Sequence, residues 1–504
     1  MSAQLAPSSI SSPVQPTVAR HTVAVAHGDG IGPEITDAVL HVLRVAACPI
    51  DFTPVQMGEQ AYLAGHGAGV PPEAWDVLSR HRVLLKGPMT TPQGGGYKSI
   101  NVTLRKTLGL FANVRPCVAY HPYVHSAHPG MDVVIVRENE EDTYGGIEHR
   151  QTGEVMQCLK LVTRPGCERI VRHAFDYAVR HGRHKVTCLS KDNIMKMTDG
   201  LFHRVFEEVA REYPQIAAEH RIVDIGAARL ATRPKDFDVV VTLNLYGDIL
   251  SDIAAEMAGS IGMAASANVG LHGAMFEAVH GSAPDIAGKN LANPSGMLLA
   301  AVMMLLHLGE HDAAERIHNA WLCTLEDGIH TPDVFNEMTS KRRVGTREFA
   351  HAVADRLGRE PRRLAPVRYG AMPVETSAAA NDTPPSAPPH AADKTCDGVD
   401  VFLDWSPETR DPDILATALR AACVEGWRLA VITNRGVKVW PEGHPDTFCS
   451  DHWRCRFLAE GEPATPQAIL DLQQRLVAAG LAPIKTENLY RFDGERGYSA
   501  AQGE

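Results

Sequence analysis

The sequence of 504 residues has no basic tract, no long apolar run and no framework of paired cysteines. Its formal charge is −11, which argues against nucleic acid as the main partner. An anionic small molecule would have to be drawn in by a local cluster of cations rather than by the overall field. No apolar stretch approaches the roughly 20 residues that a bilayer crossing needs. The ten cysteines are scattered without even spacing, which predicts reduced thiols and a cytoplasmic location. CSDHWRC sets Cys449, His452 and Cys455 at metal-like spacing but supplies no fourth ligand, and the alternation of Trp453, Cys455 and Phe457 also fits a strand with one buried face. Residues 1–20 lack acidic groups but hold a single arginine and several prolines, which predicts disordered chain rather than an import helix. A dinucleotide-binding fingerprint is missing too. Gly28, Gly30 and Gly32 have the wrong spacing, and Pro33 follows at a position suited to the first turn of a helix.

The length implies more than one domain, and 44% hydrophobic residues are ample for packed cores. HTVAVAHGDGIGPEITDAVLHVLRVA reads strand, glycine turn, helix, and the alternation continues to about residue 300, which predicts an α/β domain. The apolar face carrying Met297, Met303 and Met304 suits a core or a dimer interface. Residues 366–397 are rich in Pro, Ala and Ser and read as a linker. Residues 398–504 then read β-α-β-β-α-β, the order of a ferredoxin-like α+β domain, with the third strand left open between VKVWP and WRCRFLAE.

Two groups of side chains carry the chemistry. Arg105, Arg115 and Arg137 lie among Ser99, Asn101 and Tyr144. Guanidinium forks match carboxylates, so three converging would grip a highly anionic acid; the alternative is three separate surface ion pairs. Asp224, Asp248 and Asp252 form the second group. FDVVVTLN reads as a buried strand and GDILSDIAAEMAGS as the helix after it, so Asp248 and Asp252 share a face. A hard divalent ion, Mg²⁺ or Mn²⁺, would relieve their repulsion. Otherwise Asp248 caps the helix and Asp252 is solvated.

The motifs AHGDGIGPE, LKGPMTTP, KSINVTLR, VRENEEDTYGGIE, KDNIMK, LYGDILSD and FEAVHGSAPDIAGKNLANP follow one another between Thr22 and Pro361. In this order and spacing they resemble the β-decarboxylating (isocitrate/isopropylmalate) dehydrogenases, and among them the isocitrate dehydrogenases. The ending RFDGERGYSAAQGE is similar to the long-chain Thermus type with an extra C-terminal domain. The resemblance implies a two-domain core over 21–365 that is not a Rossmann domain. Its large domain would take about 21–110 and 259–365, and its small domain about 111–258, with a β-rich dimer clasp near 142–163. It further implies a homodimer with shared active sites, the C-terminal domain serving assembly into a higher oligomer or regulation.

The resemblance also implies roles. Lys191 would take the proton of the substrate hydroxyl, and Tyr144 would return a proton after decarboxylation, unless that tyrosine only packs in the clasp. Ser99, Asn101, Arg105, Arg115 and Arg137 would bind isocitrate. Asp224 from a partner subunit would join Asp248 and Asp252 on the metal. Thr90, His280, Gly281, Ser282, Ala283, Pro284, Asp285, Ile286 and Asn293 would hold the cofactor. NADP-using relatives usually place Lys and Tyr where Asp285 and Ile286 stand, and a carboxylate suits a free ribose hydroxyl, so the expected cofactor is NAD⁺. The implied reaction is conversion of isocitrate to 2-oxoglutarate and CO₂ through oxalosuccinate. Homoisocitrate or 3-isopropylmalate as substrate, and a regulatory subunit of a hetero-oligomer, are the alternatives.

Overall fold

The structure, a computed structural model, describes residues 20–92, 96, 98–370 and 392–502. Most of the N-terminal and linker segments assigned above to irregular chain therefore lie outside the described residues. The chain divides into two compact units. One takes the chain up to Glu141 and from Val162 to Asn381, and the other joins Asp142–Leu161 to the segment from Asp382 onward.

Strands β1 (His21–Ala26), β2 (Ile50–Pro54), β3 (Val83–Lys86), β4 (Ala112–Val118) and β5 (Asp132–Glu138) open the first unit. A hairpin, β6 (Glu148–Arg150) and β7 (Met156–Cys158), belongs to the second. The first unit continues with β8 (Lys185–Ser190), β9 (Ala217–Ile222), β10 (Val239–Thr242), β11 (Ala265–Val269) and β12 (Ala274–Ala278). Its ten strands form one sheet in the order β2-β1-β3-β12-β11-β4-β5-β10-β8-β9. Pairing is parallel towards both edges and antiparallel across β12, β11, β4 and β5. This is the mixed α/β architecture expected from the alternating pattern. The VVVT of β10 is buried at every residue, as a strand covered on both faces must be. Met297 and Met304 are fully buried in the Ser295–His307 helix, which places that face in the core.

The helix after β10 runs Asn244–Ala258 and begins three residues before Gly247. Asp248 therefore sits in the second turn and is not its cap. Gly247 is required here: a Cβ on it would lie 2.6–2.7 Å from the Cγ and Cβ of Arg137, so only glycine lets the helix lie over that side chain. Gly30, at φ +58, answers a similar demand, since a Cβ would meet the Ser282 carbonyl oxygen at 2.0 Å.

Short strands β13 (Ile329–His330) and β14 (Arg342–Arg343) pair in parallel later in the first unit. The second unit holds β15 (Lys394–Asp404), β16 (Trp427–Asn434), β17 (Val437–Trp440), β18 (His452–Ala459), β19 (Pro483–Phe492) and β20 (Glu495–Arg496). They form an antiparallel sheet in the order β17-β16-β18-β15-β19-β20. With helices Pro412–Ala422 and Pro466–Ala478, the central order β16-β18-β15-β19 is that of a ferredoxin-like domain. Both segments competing for the third strand are strands: WRCRFLAE is central and VKVW extends an edge. Trp453, Cys455 and Phe457 are fully buried on one face of β18, and the Cys449, His452, Cys455 set forms no metal-ligating group. All ten cysteines are free. Among the described residues no helix is long and apolar enough to cross a membrane.

Candidate active site

A polar stripe crosses five neighbouring strands at the antiparallel seam. Its register runs Lys86 on β3 opposite Glu277 on β12, Asn268 on β11 opposite Asn113 on β4, and Asn113 opposite Arg137 on β5. Arg115 shares the face of Asn113 because side chains alternate along a strand. Lys86 Nζ lies 2.7 Å from Glu277, and Arg105, dipping from the Ile100–Thr107 helix, lies 2.9 Å from the other carboxylate oxygen. Burial disfavours the Glu277 anion, but Lys86 and Arg105 outweigh it and hold the carboxyl well below the usual range.

Arg115 donates to Asn113 at 2.7 Å and to Ser251 at 2.6 Å, and reaches Asp248 and Asp252 at 3.4 Å each. Arg137 donates to Asn244 at 3.0 and 2.8 Å and directly to Asp248. All three arginines are buried, whereas the Asp252 side chain is 52% exposed. They are therefore not the separate surface ion pairs of the alternative reading. Burial raises the Asp252 carboxyl and Asp248 adds to it, against the pull of Arg115. Two polar atoms point inward without a partner, Arg105 Nε and Asn101 Oδ1. Ser99, at the start of the same helix, accepts from Thr91 Oγ1 at 3.2 Å. The stripe thus combines guanidinium donors, an orphaned donor and acceptor, and a carboxylate pair on one helix face, which is chemistry suited to a multiply charged acid and a hard cation.

Lys191 follows β8 and donates to Asp224 at 2.6 Å, which holds that carboxyl below its ordinary value. Within one chain Asp224 does not join Asp248 and Asp252: the one group of three close ligating residues among the described residues is a different set. Tyr144 lies in the single turn Thr143–Gly145 of the second unit, beside buried Asp142, which lies 3.6 Å from Lys160.

Two of the expected cofactor residues, Thr90 and Ser282, meet at the glycine turn. Asp29 accepts from the Thr90 amide at 2.9 Å, Thr90 Oγ1 donates to Ser282 Oγ at 3.0 Å, and the Ile31 amide donates to the Ser282 carbonyl. His280 is deprotonation-prone through burial, and its Nε2 is buried without a partner. Ala283 holds the left-handed φ of +38°, a conformation unusual for alanine. Asn293 donates to Asp333 at 3.0 Å. Asp285 and Ile286 share one short 3-10 turn behind Pro284, while Gly281 and Asp285 are exposed. Sequence reasoning missed Lys86, Glu277, Asn113, Asn268 and Asp29. A lysine and a glutamate closing two otherwise apolar strands were the available signal.

Residues 22–353 match the family described as isocitrate/isopropylmalate dehydrogenase, and 394–504 match the bacterial isocitrate dehydrogenase C-terminal domain. The chain belongs to the isocitrate/isopropylmalate dehydrogenase family. It is 50% identical over 483 residues to a Rickettsia bellii protein named isocitrate dehydrogenase [NADP], covering 96% of this chain and 99% of that one. A Thermus thermophilus protein of the same name is 45% identical, covering 96% of each. A solved structure of a Thermus thermophilus protein superposes with a TM-score of 0.89 at 44% identity, covering 96% of both chains. The isocitrate dehydrogenase structure from Methylococcus capsulatus covers 67% of this chain and 99% of its own, with a TM-score of 0.64 at 45% identity.

These members of the family correct the expectation of NAD⁺. The full-length relatives are named for NADP, and the inference from Asp285 and Ile286 is overturned with it. The physical reason lies in the turn itself. Asp285 is solvent-exposed, so its repulsion of a phosphate is screened, and Lys289 is folded back on it, donating to the Asp285 main-chain oxygen at 2.7 Å.

Proposed function

We propose that this dehydrogenase catalyses NADP⁺-dependent oxidative decarboxylation of isocitrate to 2-oxoglutarate and CO₂ with Mg²⁺ or Mn²⁺. The observation that carries the reading is the buried arginine stripe facing Asp248 and Asp252, in a chain alike over 96% of its length to a protein named for that activity. Arg115 and Arg137 orient the substrate carboxylates, and Arg105 adds its unpartnered Nε. Ser99 and Asn101 hydrogen-bond a third carboxylate, the group that separates isocitrate from an alkyl-substituted malate. Asp248 and Asp252 fit a cation because the two carboxylates share one helix face at the edge of solvent, where burial and then Asp248 disfavour the Asp252 anion. Thr90, His280–Ile286 and Asn293 would hold the cofactor, the buried and unpartnered Nε2 of His280 offering it a polar contact. NADP⁺, when bound, accepts the hydride, and the divalent cation, when bound, offsets the charge of the carboxylate and hydroxyl.

Lys191 takes the hydroxyl proton and Tyr144 supplies one after CO₂ has left. Lys191 and Asp224 are paired with each other rather than with Asp248 and Asp252, which supports a homodimer in which they complete the site of a second copy. Initial rates with NADP⁺ and NAD⁺, each with and without a chelator, test the reading. The expected result is a higher kcat/KM with NADP⁺, abolished by chelation and restored by Mg²⁺ or Mn²⁺. A higher kcat/KM with NAD⁺, or turnover indifferent to chelation, overturns it.

A further inference from the structure

Next to Lys191, and outside the stripe, the chain brings together Asp192, His203 and His220. Asp192 follows β8, His203 stands on the Thr198–Ala210 helix, and His220 is on β9. One ligating atom from each falls within 4.8 Å of the others. The two imidazoles are stacked, with centroids 3.5 Å apart and planes 18° from parallel. Asp192 reaches both: 2.7 Å to His203 Nδ1 and 3.9 Å to His220 Nε2. All three are half-buried, so an ion can enter from solvent.

An ordinary hydrogen-bond cluster accounts for part of this. Asp192 pairs with His203, and His220 Nε2 lies 2.8 Å from Ser190 Oγ. It does not account for two stacked imidazoles facing one carboxylate. Two imidazolium ions would repel at that spacing, so the stacked pair favours at least one neutral ring, the form that ligates a metal. Glu207, one turn beyond His203, lies 3.5 Å from His203 Nε2. It stands where an outer carboxylate would orient a metal-ligating histidine: with an ion on Nδ1 in place of the Asp192 hydrogen bond, Nε2–H would face Glu207. Two imidazoles and one carboxylate favour a borderline ion over Mg²⁺, and three protein ligands leave a position for water.

We infer that Asp192, His203 and His220 form a binding site for one divalent transition-metal ion of the Zn²⁺ class, distinct from the Asp248/Asp252 site. Ligation requires the two rings to turn out of their stack so that the lone pairs of His203 Nδ1 and His220 Nε2 converge on one point, with Ser190 giving up its bond to His220.

The test is equilibrium dialysis of the full chain against Zn²⁺ in a large excess of Mg²⁺, which competes for the carboxylate site, followed by metal analysis. The expected result is one more Zn²⁺ per chain in the wild type than in His203→Asn or His220→Asn, with Mg²⁺-supported turnover without Zn²⁺ unchanged in both variants. Equal Zn²⁺ content in the three proteins, or no Zn²⁺ in the wild type, overturns the site. Co²⁺ keeps the test independent of how the variants fold: under the same Mg²⁺ excess the wild type develops the visible absorption of an imidazole-ligated ion, and a spectrum identical to that of aqueous Co²⁺ overturns the inference.

Discussion

Both units bury an arginine beside a carboxylate, and they do so to opposite ends. In the C-terminal domain Arg456 meets Asp400 through two bonds of 2.8 and 2.9 Å, donates to the Ser499 carbonyl, and lies over the Tyr498 ring at 4.9 Å. Both partners are buried and each satisfies the other. In the dehydrogenase core Arg115 and Arg137 are buried just as deeply, but the carboxylates they face stand at the edge of solvent, and an arginine donor and an asparagine oxygen nearby are left over. A closed pair specifies a fold; an open one leaves capacity for a ligand. Burial of charge alone therefore does not mark a site, whereas burial with unspent hydrogen-bonding capacity does.

The sharpest way to break that distinction is Arg115→Met. An open site predicts that kcat/KM for isocitrate falls by about 10³-fold, the order expected when one partner of a buried, hydrogen-bonded charge pair is truncated. Steady-state kinetics with unchanged circular dichroism would check it, and a variant within tenfold of wild type would return Arg115 to a structural role. The converse test is Asp400→Ala. Leaving Arg456 buried without its carboxylate should cost about 3–5 kcal/mol of stability. Trp405, Trp427, Trp440 and Trp453 lie in that domain against Trp75 and Trp321 elsewhere, so tryptophan fluorescence during denaturant unfolding reads it directly. Coincident unfolding curves for variant and wild type would show that the pair contributes nothing.

What the sequence could reveal follows the same division. Local patterns were legible. The buried strand over residues 239–242 is a β-branched run, and the order of the C-terminal elements led to the ferredoxin-like arrangement. The family followed from motifs in a fixed order. The helix start at Asn244 was not legible, because Leu243 and Asn244 provide no side-chain cap and the glycine and aspartate further on look like the stronger signal. Glu277 was hidden for another reason. Its partners Lys86 and Arg105 lie far back along the chain, and only the sheet order brings them together. The cofactor was misread because two residues of a turn were asked to decide what a pocket decides, and Lys289 lies outside the pair.

Glu138 offers a third arrangement to set beside the closed and open pairs: a buried carboxylate that accepts from the Glu140 and Glu141 amides, with no cation paired to it among the described residues. Burial is the leading cause that pushes its carboxyl up to about 7, with Glu141 and Glu140 adding to it against those two amide bonds. Below the ordinary value of 4.5 both the folded and unfolded chains hold the proton, and above about 7 both have lost it. Between these limits only the folded chain keeps it, so stability falls as pH rises across that window, by about 3 kcal/mol in all. Glu138→Gln should flatten that slope, measured as the pH dependence of the denaturation midpoint. An unchanged slope would mean that water or a neighbour already stabilises the anion.

The smallest effect on stability, and the one that most sharpens the comparison, belongs to Asp252→Asn. Its side chain is half exposed and faces Arg115 at 3.4 Å, so solvent screening limits the cost of losing the charge to under about 1 kcal/mol. The same change removes one of the carboxylates proposed to hold the cation, so the Mg²⁺ concentration giving half-maximal turnover should rise while the unfolding midpoint hardly moves. Asp400 has the reverse profile: large in stability and silent in metal dependence. If Asp252→Asn instead lowered the unfolding midpoint as far as Asp400→Ala does, with the Mg²⁺ requirement unchanged, the core carboxylates would be counter-ions of a closed network. The difference between the two units would then be one of exposure rather than of purpose.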